Sequence, residues 1–225
     1  MNRLATTVLL AALLAVAGLR PAHAQIYVDK DASSGGDGSS WTDAYTDLQT
    51  AIDNATSSNE IWVAEGVYKP DNEGDSFTIT GAKDGLEVYG GFDATESNRD
   101  ERDPREHRTI LSGDLNGDDT DPDGDGIIED ASDLTGGENA HHVLVLDGGE
   151  GIGSNVGDNV TSSTVLDGLV ITAGQADGGS FSDDSRGGGL YCDGRGSGNA
   201  CSPTLANALF AGNEAGNGGA IFNYG

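Results

Sequence analysis

Residues 114–130 read Asp-Leu-Asn-Gly-Asp-Asp-Thr-Asp-Pro-Asp-Gly-Asp-Gly-Ile-Ile-Glu-Asp. Within this run Asp121, Asp123 and Asp125 alternate and Gly126 follows, which is the opening of a D-x-D-x-D-G calcium loop. Alternating carboxylates in a tight turn converge on one hard cation, and glycine permits the sharp bend. An EF-hand requires Glu at its twelfth position, which here is Ser132, and no flanking helices are apparent. Glu129 or Asp130 would instead close a shorter loop, and Asp114, Asn116 and Asp118 form a second, poorer copy. The expected cofactor is therefore structural Ca2+ on Asp121, Asp123, Asp125, Glu129 and Asp130. The competing reading is a solvated acidic insertion.

No catalytic residue is assigned. Arg99 to Arg108 carries the densest positive charge, and Arg102-x-Pro104-x-x-His107 comes within one residue of the R-x-P-x-x-R stretch of some pectate lyases. The last arginine is replaced, Arg108 is adjacent, and no W-x-D-H element accompanies it. A polar loop before an apolar strand explains the segment equally. His141-His142 has metal-ligand chemistry, but a pair leading into an apolar run reads as structural. Asp167, Asp183, Asp184 and Asp193 are scattered rather than clustered in a polygalacturonase-like motif, and no P-loop, dinucleotide fingerprint or hydrolase elbow is present. Cys192 and Cys201 are the only cysteines, joined by a Gly/Ser/Asn-rich loop, so an oxidising compartment would bridge them. Two buried free thiols are the alternative.

The whole chain is acidic: 225 residues carry 38 Asp+Glu against 11 Lys+Arg, a net charge of −27. That charge opposes nucleic acid and anionic membrane, which both need a basic footprint. With 36 glycines the chain is poor helix material, and the glycines keep no three-residue period, which excludes collagen. Low hydrophobicity with high charge favours disorder, but recurrent short apolar runs oppose it. Only 3 lysines remain beside abundant aspartate, a pattern that suits high salt or calcium-rich surroundings equally.

Residues 1–24 read as a secretory signal peptide. Arg3 supplies the positive start, Leu4–Leu19 is uncharged and apolar, and Ala22-His23-Ala24 is a small-x-small cleavage site. The apolar run is short for a bilayer span and no second one exists, so no transmembrane segment is expected in the mature chain.

One amphipathic helix is expected over about 41–55: Ser40-Trp41-Thr42-Asp43 fits a capping box, and Trp41, Ala44, Tyr45, Leu48, Ala51, Ile52 and Ala55 form one apolar stripe. Everything after it reads as short strands bounded by Gly, Asn or Asp, among them Ile61–Ala64, Phe77–Thr80, Leu86–Tyr89, Thr109–Leu111, Val143–Leu146, Leu166–Ile171, Leu190–Tyr191, Leu205–Phe210 and Ala220–Phe222. Leu166–Gly179 aligns without gaps on Leu205–Gly218, 39 residues on, and Gly188–Tyr191 echoes Gly218–Ile221 at 30. Such repeats mean stacked units. The expected fold is all-β, a parallel β-helix, with residues 25–60 an N-terminal cap whose helix covers the open end of the coils and 61–225 the coils. Asn207, Asn213, Asn217 and Asn223 are candidates for tight corners, where left-handed angles are needed.

Phe210-Ala-Gly-Asn213 with Gly218-Gly-Ala-Ile221 resembles the FxxN and GGA[I/L/V] motifs of the polymorphic outer membrane protein repeats. Ile26–Asp29, Gly38–Trp41, Asp47–Ile52, Ile61–Ala64 and Gly66–Pro70 resemble the opening of secreted bacterial right-handed β-helix proteins, and Tyr89–Phe92 and Thr109–Asp114 resemble later landmarks of that group. The resemblance implies a right-handed, pectin-lyase-like scaffold in an exported, surface-associated or secreted protein. The chain stops at Gly225 inside a repeat, so a fragment of a longer protein is expected. The expected function is non-enzymatic adhesion, display, or binding of matrix or polysaccharide, with a polysaccharide lyase or hydrolase as the rival. Oligomeric state and attachment are open.

Exported protein should begin at Gln25, with 9 basic against 38 acidic side chains and a charge of −29 once Arg3 and Arg20 are removed. Mass-spectrometric N-terminal sequencing checks this, and retention of Met1 would refute it.

Overall fold

The computed structural model describes residues 23–33, 35–135, 137–148, 159–179, 182–196 and 199–225. The expected signal peptide, but for its last two residues, lies outside them.

Every strand pairing outside a few isolated bridges is parallel. Five strands, β1 (Ala24–Val28), β2 (Asn59–Ala64), β5 (Glu87–Phe92), β8 (Val165–Asp167) and β12 (Thr204–Ala206), form one sheet in that order. A second runs β3 (Gly66–Tyr68), β6 (Thr109–Ser112), β9 (Leu169–Thr172), β13 (Leu209–Ala211). A third runs β4 (Phe77–Thr80), β7 (Leu144–Asp147), β11 (Leu190–Asp193), β15 (Ile221–Tyr224). A small fourth pairs β10 (Gln175–Ala176) with β14 (Glu214–Ala215).

Period-two alternation sorts the side chains. Ile61, Val63 and Val88 of the first sheet, Tyr68, Leu111, Leu169 and Ile171 of the second, and Phe77, Ile79, Leu144, Leu146 and Leu190 of the third meet in one core. Trp62 and Tyr89, one residue out of phase, face away and build a separate aromatic cluster with Phe92, Tyr27 and Trp41.

Three expectations are corrected. The all-β, right-handed parallel β-helix with a capping helix is the first. The described residues form four parallel sheets of five, four, four and two strands, one α-helix and a few 3-10 turns. These pairings establish parallel sheets, not a right-handed solenoid. No single period runs through them: Ile61 pairs with Val88, 27 residues on, Val88 with Leu166, 78 on, and Leu166 with Leu205, 39 on. The expected boundary at 60/61 also falls inside β2.

The helix is the second. It spans only Leu48–Asn54 (α1), with Asp47 as N-cap accepting from the Thr50 amide at 2.6 Å. Upstream, Tyr45 bridges Val28 and exchanges backbone hydrogen bonds with Tyr27 and Asp29, which holds that segment extended. Ser40 and Asp43 bond to each other at 3.2 Å but close a turn only. Trp41 packs on Tyr27 and Phe92 and donates Nε1 to the Glu96 carbonyl at 3.0 Å. Leu48, Ala51 and Ile52 do enter the core.

Register is the third. The 39-residue repeat holds, pairing Leu166 with Leu205 and Ile171 with Phe210. The second echo slips by one residue: Leu190 pairs with Ile221 and Tyr191 with Phe222. A one-residue shift exchanges faces, and the observed register stacks Tyr191 on Phe222, centroids 5.9 Å apart and planes 4° from parallel. The expected runs Leu166–Ile171 and Leu205–Phe210 each break at a left-handed corner, Gly168 (φ 78) and Asn207 (φ 45). Asn213 serves a corner too, donating Nδ2 to the Ile171 and Ala211 carbonyls and accepting from the Gly174 amide. The Cys192–Cys201 disulfide is present, with both residues buried.

His142 stacks on Tyr191 at 5.2 Å and donates Nδ1–H to the Gly187 carbonyl at 3.1 Å. Burial pushes its pKa down, outweighing that carbonyl and Asp183 and Asp184. The unfolded chain therefore binds the proton better, so this contribution is complete above about pH 6.5 and is lost as pH falls through the depressed value. Urea midpoints measured above and below that pH should fall on acidification, and His142→Gln should flatten part of the fall.

Candidate functional site

A single extra residue positions the arginine-rich segment. In β5, Val63 pairs with Gly90 and Ala64 with Phe92, so Gly91 bulges out of the ladder (φ 99). A bulge leaves backbone groups without strand partners. Here the Gly91 amide donates to Thr109 Oγ1 at 3.0 Å and the Gly91 carbonyl accepts from the Asp103 amide at 2.8 Å. A Cβ at Gly91 would lie 2.6 Å from Pro104, so glycine is needed for residues 102–108 to lie this close.

Three of the four arginines in this segment are occupied. Arg99 lies over the Tyr89 ring at 4.5 Å and bonds Glu60 at 2.9 Å, Glu87 at 3.4 Å and the Tyr89 hydroxyl at 2.9 Å. Glu60 and Glu87 sit side by side in register on β2 and β5, and the guanidinium offsets their repulsion. Arg102 donates to the Gly90 carbonyl at 2.9 Å and to Asp167 at 2.7 Å, passing where Gly168 has no side chain. Asp167 also accepts from Asn207 at 2.8 Å. Arg108 pairs with Asp125 in a half-exposed bridge. Arg105 is exposed and its side chain has no hydrogen bond or ion pair among the described residues. His107 bonds Glu65 at 2.9 Å, which pushes its pKa up.

The acidic insertion supplies the facing wall. Ile127 packs with Ile110 and Val170 on the outer face of the second sheet. The Ile128 amide donates to Thr172 Oγ1 at 3.0 Å, and that hydroxyl donates back to the Ile128 carbonyl at 2.8 Å. Between the two walls lies a groove of about 1280 Å³, floored by Leu169 and Val170 and edged by Leu209 and Asn207. Arg99, Arg102, Arg105 and Arg108 meet Asp123, Asp125 and Glu129 across it.

The expected calcium ligands are partly brought together. Asp121, Asp123 and Asp125 each place a carboxylate oxygen within 4.8 Å of the others. Glu129 and Asp130 stand outside that group; Glu129 lines the groove, and Asp130 caps the 3-10 turn at Ala131–Asp133. Asp121 accepts from the Gly126 and Gly124 amides, which holds its pKa below the usual carboxylate range. In the poorer copy Asp114, Asp118 and Asp119 gather. His141 turns from His142 toward Glu73 (3.5 Å) and Asp177 (3.8 Å). Asp183 and Asp193 bind Arg195, which raises the arginine's pKa. Sequence reading missed the anchor Ile127-Ile128, whose only signal is an apolar pair inside an acidic run, and the Glu60–Arg99–Glu87 bridge.

No family model matches this chain, and neither the curated proteins nor the solved structures contain a significant match.

Arg102→Ala should cost about 3 kcal/mol, because it strands the mostly buried Asp167 carboxylate. Arg105→Ala should change stability by less than about 0.5 kcal/mol, since it breaks no bond. Urea denaturation of both variants separates them.

Proposed function

We propose that this protein is an exported, non-enzymatic binding module, in the cell envelope or secreted, whose groove holds an extracellular polysaccharide bearing carboxylates. The observation that carries this reading is Arg105: one unpaired guanidinium in an open groove where its three neighbours are paired. A guanidinium matches a uronate carboxylate in a two-point geometry. Leu209, 49% exposed, offers apolar surface to sugar C–H faces. The groove exceeds the ~300–1,000 Å³ of sites for small ligands, which suits an extended chain. The resemblance of Phe210–Asn213 and Gly218–Ile221 to the outer membrane protein repeats, and the signal-like residues 1–24, support the exported setting.

Calcium is part of the proposal. A cation on Asp121, Asp123 and Asp125 would reduce the long-range repulsion of a chain with net charge −27 toward a polyanion. It would also compete with Arg108 for Asp125 and free that guanidinium for ligand.

The lyase reading is favoured by one observation, the sharing of this groove by carboxylates and arginines. Against it, Arg99, Arg102 and Arg108 are ion-paired, and arginine stays protonated in proteins. The groove lining among the described residues includes no His, Lys or Tyr.

Oligogalacturonate binding, followed by calorimetry with calcium present, should be saturable, weaken on calcium removal and fall about tenfold or more in Arg105→Ala. Absorbance of unsaturated product should stay flat. No binding overturns the proposal; product formation lost in Arg105→Ala replaces it with the lyase.

A further inference from the structure

We propose that Asp114, Asp118 and Asp119, with the side-chain amide oxygen of Asn139, form a calcium site at the neck of the acidic insertion. It is separate from the Asp121–Asp125 loop and does not depend on ligand binding in the groove.

The insertion leaves β6 at Ser112 and returns toward β7 through Asn139. At the neck, Asp114 and Asn139 form an antiparallel bridge. Asp114, 8% exposed, turns the chain by accepting the Gly117 and Asp118 amides on Oδ1 at 2.8 and 3.2 Å. That turn brings one carboxylate oxygen from each of Asp114, Asp118 and Asp119 within 4.8 Å of the others. The returning chain passes close by: a Cβ at Gly137 would lie 2.4 Å from the Asp118 carboxylate, which would have to shift. The Lys69 ammonium pairs with Asp114 at 4.0 Å. One half-exposed ammonium faces three carboxylates.

Asn139 supplies the second, independent observation. It is 2% exposed, and its Nδ2 donates to Asp119 Oδ2 at 2.9 Å, which fixes the amide against the cluster. Among the described residues its Oδ1 has no hydrogen-bond partner. A buried carbonyl oxygen without a donor is rare in folded proteins. Three clustered carboxylates and the buried oxygen of an amide held against one of them are the donor types that a hard, oxygen-seeking cation takes. The Asp121–Asp125 loop differs: it is largely exposed, and it has no orphaned buried oxygen among the described residues.

The ion would join 114–119 to 139 and close the neck, and so hold in place the insertion that carries Ile127 and Ile128. The test is calorimetric titration of calcium chloride into the chelator-stripped full chain, with thermal melts alongside. Saturable binding and a raised melting temperature are expected, with magnesium much weaker because it tolerates only near-ideal octahedral geometry. Asp119→Asn and, separately, Asp118→Asn should each weaken one binding event about tenfold or more, since ligand charge sets affinity; Asp123→Asn should leave that event in place and act only on binding at the Asp121–Asp125 loop. Asp118 is exposed, so its variant remains informative if Asp119→Asn fails to fold. Absence of calcium binding, or loss of it in Asp123→Asn but not in Asp118→Asn, overturns the proposal and leaves Lys69 as the counter-charge.

Discussion

Alternation along in-register parallel strands is the constraint on which the rest depends. Inward residues of three sheets fill one core, so each strand has one face committed before any function is considered. The outward face then carries what the core cannot. On the first sheet the outward positions Tyr27, Trp62 and Tyr89 line up across β1, β2 and β5. On the second, Val67, Ile110, Val170 and Ala211 form the apolar floor onto which Ile127 docks. The groove is therefore built where two long connections cross an outward face, as is common when a rigid scaffold carries binding loops.

Charge enforces a division of labour among the cations. With so few basic side chains against 38 acidic ones, most arginines are spent inside the fold. Arg99 separates Glu60 from Glu87, Arg102 neutralises Asp167, and Arg195 bridges Asp183 and Asp193. Arg105 stands apart because no carboxylate among the described residues pairs with it. The acidic groups that remain uncompensated concentrate in the insertion, where tight turns satisfy many of them by backbone N–H donation. Such turns lower carboxylate pKa values without supplying positive charge.

Local signals in the sequence were legible where they were also tertiary signals. The 39-residue repeat reports strand pairing directly, and the Cys192–Cys201 bridge followed from a flexible loop between two cysteines and an expected, oxidising destination. The helix was over-read because Trp41, Ala44 and Tyr45 are buried or part-buried for a different reason: they pack beside β1, and burial at three-residue steps imitates a helical stripe. The fold was over-read because one repeat was extended to the whole chain, whereas pair separations vary from 27 to 78 residues. The groove was not legible at all. Its walls, 99–108 and 123–129, flank β6 in the chain, but its floor and edge come from 168–170 and 207–211, and the seating of the first wall depends on a bulge at Gly91 that no local pattern announces.

What holds those walls is a pair of buried hydroxyls on one sheet. Thr109 opens β6 and accepts the orphaned Gly91 amide while lying within 3.2 Å of the Val63 and Ala64 carbonyls. Thr172 ends β9 and closes a two-way exchange with Ile128. Both side chains are fully buried. Threonine suits each place because its branched Cβ favours strand and its hydroxyl both donates and accepts. Valine would fill the same space yet leave backbone groups buried without partners, at about 1–3 kcal/mol for each. Core packing therefore fixes the sheets, but hydrogen bonding from two strand termini fixes the groove. The same division explains how a chain so rich in charge and glycine keeps a defined surface: its long connections are tied at single buried points rather than packed along their length.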